Sequence, residues 1–163
     1  MGISLQNRQR KVRVETAWLR GVGTRALSFL NRKTGECSVT VVSDPTIATL
    51  NRTYRRVPGP TDVLAFPMAK GRFRRLSPDL LGDVVISAET AARQAREEQG
   101  GLRGELALLL IHGILHLVGY DHGTPHERRR MWRTQRAILA TCNIGGRLMP
   151  RMKRAAPPAS RSR

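Results

Sequence analysis

Cysteine is scarce: Cys37 and Cys142 are the only two in 163 residues, far apart and outside any CxxC motif. That excludes a disulfide framework and a zinc knuckle, and it fits reduced thiols. Acidic residues are also few, 12 Asp and Glu against 29 Lys and Arg, which leaves a net charge of +17. Such an imbalance favours polyanionic partners, nucleic acid before an anionic membrane. There is no long apolar run. The longest, Leu106 to Ile111, is far too short to span a bilayer. The opening residues Met1-Gly-Ile-Ser-Leu-Gln-Asn-Arg8 contain no apolar signal core. The expectation is a soluble, cytoplasmic protein with no membrane association. Aromatics are limited to three Phe, two Trp and two Tyr, which weakens any scheme of reading bases by stacking.

What is present is concentrated in one stretch. Three of the four histidines lie between residues 112 and 122. His112 and His116 are four residues apart behind an apolar run, so a helix brings them onto one face. Gly119 is placed to end that helix and let the chain swing back. His122 can then supply a third ligand. Three imidazoles with an open fourth position are the arrangement of catalytic zinc; structural zinc is normally closed by four protein ligands. The spacing HxxxHxxGxxH is also that of the metzincin proteases, whose first histidine is followed by a glutamate general base. Here that residue is Gly113, so the metal site is kept and the protease's base is gone. A glycine there lets a bulky phosphate or a neighbouring strand approach the metal.

The length suits one domain, expected over residues 1–146, followed by a basic, disordered tail over 147–163. Ile3 to Gln6 read as a first strand, continued weakly through Val12 and Val14. Residues 15 to 31 fit an amphipathic helix with Trp18, Val22, Leu27 and Leu30 inward. Cys37 to Ser43 form a β-branched strand. Asp44 is then an N-cap before Pro45, and Ile47, Leu50 and Tyr54 give the next helix its apolar stripe. Thr61 to Phe66 and Leu80 to Ile86 are two further strands. The basic segment between them, 68 to 79, reads as an exposed loop. Ser87 caps a helix that runs to Gly100 and Gly101. The histidine helix, about 102 to 118, is apolar nearly all round and therefore central. Thr124-Pro-His-Glu127 is a capping box opening a last helix to about Cys142, with Met131, Ile138 and Leu139 inward and arginines opposite. Strict βαβ alternation is broken. The predicted class is α+β, a small mixed four-stranded sheet with about five helices and the three-histidine site on a central buried helix.

His112-Gly-Ile-Leu-His116-Leu-Val-Gly-Tyr-Asp-His122 resembles the signature of the YbeY family of metal-dependent endoribonucleases. Gln6 to Arg10, Leu50 to Arg55, Pro60 to Pro67 and Leu81 to Ser87 resemble its other blocks, so the likeness covers all but the tail. It implies that His112, His116 and His122 hold one zinc ion. It also implies that Arg55 is the active-site arginine and that the fold is a mixed four-stranded sheet. The implied activity is single-strand-specific endoribonucleolysis in ribosomal RNA maturation and ribosome quality control. The implied partners are ribosomal RNA and ribosomal particles, with ribosomal proteins as further contacts. Two segments depart from the family pattern. Arg56-Val-Pro-Gly59 replaces a usually charged stretch, and Gly123-Thr124 replaces an often acidic one.

With Gly at 113, the base must be metal-activated water, Asp121, or the RNA's own 2′-hydroxyl. Asp121 reads rather as a turn cap or as a partner orienting a ligand imidazole. Asp62 and Asp83 read as strand-end acceptors, and His126 as solvated. The competing class is a ribosome-assembly binding factor whose metal is mainly structural.

Overall fold

The computed structural model describes residues 2–68, 76–97 and 100–144. Four strands form one sheet: β1 (Gly2–Asn7), β2 (Glu36–Val42), β3 (Val63–Pro67) and β4 (Leu80–Ser87). Their spatial order is β1-β2-β4-β3. The first three are parallel, and β3 runs antiparallel along the edge of β4. The mixed α+β architecture expected from the broken alternation is therefore present. Among the described residues, five α-helices accompany the sheet: α1 (Thr16–Phe29), α2 (Asp44–Leu50), α3 (Ala88–Ala95), α4 (Gly101–Leu117) and α5 (Pro125–Thr141).

Period-2 alternation in the strands divides the core between the two faces. Val39, Val41, Val84 and Ile86 point toward the side covered by α1, α3, α4 and α5. Val42, Leu64 and Val85 point the other way, onto Ile47 of α2. Helix α4 is the centre of the larger side. Leu110, Ile111, Ile114 and Leu115 are fully buried there. Burying each such side chain contributes about 1.5–3 kcal/mol, so α4 is fixed by packing on all sides rather than along one stripe.

Several local expectations are corrected. Val12 and Val14 do not extend β1. The Gln9 side chain bonds Asn7 and both backbone groups of Val12, which folds the chain into a loop instead. In α1, Leu19 and Ala26 join Val22 and Leu27 in the core, while Trp18 and Leu30 are half-buried at its margin. Asp44 does not cap α2; Ser43 occupies that position. The Asp44 carboxylate instead accepts from Ser87 Oγ and Thr90 Oγ1, each at 2.6 Å, and pairs with Arg93 at 2.8 Å. Burial pushes this carboxyl up, but those hydrogen bonds and the Arg93 charge outweigh it and hold it below its ordinary range. Tyr54 is 66% exposed, not part of a buried stripe, because α2 gives way after Leu50 to a π-helical turn, Asn51–Arg55. Its ring packs edge-to-face with Phe66, centroids 5.3 Å apart. Helix α3 stops at Ala95 rather than reaching Gly100. Most of the basic loop, 69–75, and the expected tail, 147–163, lie outside the described residues.

Cys37 and Cys142 are free thiols. Burial, reinforced by the charge of Asp83, pushes the Cys37 thiol up to about 12, so it is an inert core residue. Among the described residues, no helix is long and apolar enough to cross a membrane.

Candidate metal centre

The site is built where α4 stops. Its last turn ends in a Schellman motif: the Gly119 N–H donates to the His116 carbonyl at 3.1 Å and the Tyr120 N–H to the Leu115 carbonyl at 2.9 Å. Gly119 adopts φ +99°, the left-handed geometry that this stop requires and that glycine takes without strain. The chain then reverses toward α4. The Asp121 carboxylate accepts from the backbone N–H of His122 at 2.7 Å, pinning the reversal. Thr124 and Glu127 close the expected capping box, with bonds of 3.1 and 3.2 Å, and start α5 immediately after the third histidine.

These elements bring His112, His116 and His122 together, one ligand atom from each lying within 4.8 Å of the others. The Nε2 atoms of His112 and His116 are 3.1 Å apart. Two nitrogens each about 2.0–2.1 Å from a tetrahedral zinc ion would lie about 3.3 Å apart, so the cluster fits such an ion. All three residues are half-buried, enough to hold the rings while leaving an approach from solvent.

The electrostatics suit a cation. Burial lowers the pKa of His112, and the charge of His122 adds to this; the Gln135 bond and the charge of Asp62 oppose it. Burial pushes His116 down to about 4, helped by His112 and His122 and opposed by Asp121 and the Tyr120 backbone. Both imidazoles are therefore neutral at pH 7, the form that donates a lone pair to a metal.

Gly113 faces the sheet. A Cβ there would lie 2.7 Å from Val84 Cγ1 and 3.5 Å from Val63 Cγ2. The space that a protease's glutamate would need is filled by strands β3 and β4. Of the two roles suggested by the sequence, close approach of a strand is the one observed.

The other singled-out residues are placed as follows. Arg55 is exposed at the end of the turn following α2. That turn and α4 flank β3 from its two faces, and Arg55 is not part of the histidine cluster. Asp62 accepts from the Val63 N–H at 2.7 Å and from Gln94 at 3.3 Å, the strand-end role expected of it. Asp83 and His126 are exposed. One contact was not anticipated: the ring of His112 meets Gln135 of α5, its Nδ1 lying 2.6 Å from Oε1. The available signal was a lone amide among the inward positions Met131, Ile138 and Leu139.

Residues 4–143 match the family model described as Endoribonuclease YbeY. A Geobacter metallireducens protein named Endoribonuclease YbeY is 44% identical over 142 residues, covering 86% of this chain and 95% of that protein. A Geobacter sulfurreducens protein of the same name is 41% identical over 148 residues, covering 90% and 99%. The solution structure of TM1509 from Thermotoga maritima superposes with a TM-score of 0.58 at 24% identity, covering 86% of this chain and 91% of that one, and shows the same fold. A three-histidine centre at the end of a buried helix, in a chain that matches the family model over residues 4–143, establishes that this protein belongs to the YbeY endoribonuclease family.

Proposed function

We propose that this chain is a zinc-dependent endoribonuclease that cuts single-stranded segments of ribosomal RNA during ribosome maturation and quality control. Residues 1–146 form its one catalytic domain in this reading. The observation that carries it is the convergence of three imidazoles within 4.8 Å beside a glycine at the position of a protease's base. The relatives' printed name, endoribonuclease, supplies the reaction class. The net charge of +17 supports a polyanionic substrate over a peptide.

His112, His116 and His122 hold the ion; when bound, zinc supplies a Lewis acid toward a phosphoryl oxygen and lowers the pKa of water to about 7. The chain's own residues do the rest. Burial of His112 and His116 keeps their lone pairs free of protons at working pH. Asp121 holds the reversal that delivers His122. Arg55 is assigned to the non-bridging oxygens of the scissile phosphate, where its planar fork can donate two bonds at once. Arg52, Arg56 and the exposed arginines of α5 bind flanking phosphates and contribute affinity without sequence choice. Specificity then comes from the shape of the ribosomal particle, with ribosomal proteins as further contacts in the cytoplasm.

The test is cleavage of a defined precursor ribosomal RNA by the purified protein. Chelator should abolish product formation and added zinc should restore it. Persistent cleavage after complete metal removal would rule out the zinc enzyme. Binding to ribosomal particles without any cleavage would favour the assembly factor with a structural metal.

A further inference from the structure

Gln135 has no part in the reading above, yet its side chain touches the centre. It lies on α5 in line with Met131, Ile138 and Leu139 and is only 2% exposed. Burying an amide costs free energy unless it is hydrogen-bonded, so this is a poor position for mere filler. A neutral imidazole carries one N–H and one lone pair. The Nδ1 atom of His112 faces the Gln135 carbonyl oxygen at 2.6 Å, while its Nε2 faces His116 Nε2 at 3.1 Å within the metal cluster.

We propose that Gln135 is a positioning residue of the metal centre, whose side-chain carbonyl fixes His112 in the Nδ1–H tautomer and aims Nε2 at the ion. This rests on the zinc reading above. Metal-bound histidines generally donate their second N–H to an outer acceptor, and loss of that acceptor lowers metal affinity about 10- to 100-fold. Here the acceptor is a neutral amide, so it orients the ring without adding a negative charge to the site. Turning the amide round would place an NH2 donor against Nδ1, move the ring proton to Nε2 and close that atom to the metal. The two arrangements differ in what a carboxylate would do at 135, because a carboxylate can only accept.

The experiment measures zinc affinity of the full chain by competition with a chromophoric chelator, for wild type, Gln135→Leu and Gln135→Glu. It adds the 15N–1H couplings of the His112 ring in the wild type without zinc. The expected result is about a 10- to 100-fold loss in Gln135→Leu. Gln135→Glu should bind zinc at least as tightly as wild type, and the His112 proton should reside on Nδ1. Equal affinity in Gln135→Leu, a loss in Gln135→Glu matching that in Gln135→Leu, or a proton on Nε2 would each overturn the inference. Should Gln135→Leu fail to fold, Gln135→Glu and the wild-type tautomer still decide it. A wild type that takes up no zinc overturns the zinc reading and this inference together; a wild type that binds zinc with the wrong tautomer overturns this inference alone.

Discussion

The histidine centre and the Arg55 turn are held in opposite ways. The histidines are gripped from several directions: a largely buried helix sets two, a Schellman stop and a capping box set the third, and Gln135 meets one ring. Arg55 ends an exposed π-helical turn, followed by Arg56 in the left-handed region at φ +56° and a Pro-Gly-Pro loop. The difference teaches where chemistry needs precision. A metal site fails when one ligand moves by a fraction of an ångström, so it is built into the core. Contacts to the flanking phosphates are spread over many arginines and position the RNA together, so each can sit on an exposed, loosely held segment.

That contrast can be broken most severely at a ligand. His116→Ala should abolish zinc retention and reduce RNA cleavage by more than the about 10- to 100-fold that loss of an outer partner costs. Metal analysis and cleavage of the same preparation check this, and undiminished cleavage by the metal-free variant would sink the enzyme reading. Next is the packing beneath the site. Gly113→Ala places a Cβ 2.7 Å from a fully buried Val84. Overpacking of this kind costs about 1–3 kcal/mol, partly offset by alanine's helix propensity of about 1 kcal/mol over glycine. A lower urea midpoint at unchanged m should result.

Arg55→Ala should act more gently. Zinc content and the urea midpoint should match wild type, while RNA affinity falls about tenfold, the salt slope shallows by about 0.7, one single-strand phosphate contact, and cleavage of bound RNA slows because Arg55 faces the scissile phosphate. A fall in zinc content would refute the separation of the two regions.

The smallest expected effect is on pH dependence without metal. In the fold, His116 titrates near 4 and His112 below its ordinary 6.5. The unfolded chain therefore binds more protons between about pH 6.5 and 4. Stability contributed by these neutral rings is complete above 6.5 and is lost as pH falls toward 4. Urea titrations of chelated protein across that window should show the decline, and it should weaken in His116→Ala.

Much of this architecture can be read from the chain because local signals and packing agree. The alternation in β2 and β4, the all-round apolarity of α4, Gly119 and the Thr124–Glu127 box each have one dominant physical meaning. Misreadings occur where two meanings compete. Asp44 precedes a proline as an N-cap would, yet three donors on α3 and at the end of β4 claim its carboxylate. Tyr54 keeps helical spacing, but the π-turn rotates it out to solvent. Gln135 is invisible to an apolar pattern because it breaks that pattern, and its partner lies 23 residues away on another helix.

The most direct measurement follows cleavage of precursor ribosomal RNA while zinc is titrated into chelator-stripped protein. Activity rising in proportion to bound zinc, from background to a plateau at one ion per chain, is the expected result. Activity that is present without zinc, or that stays absent at full occupancy, would contradict a catalytic role for the three-histidine centre.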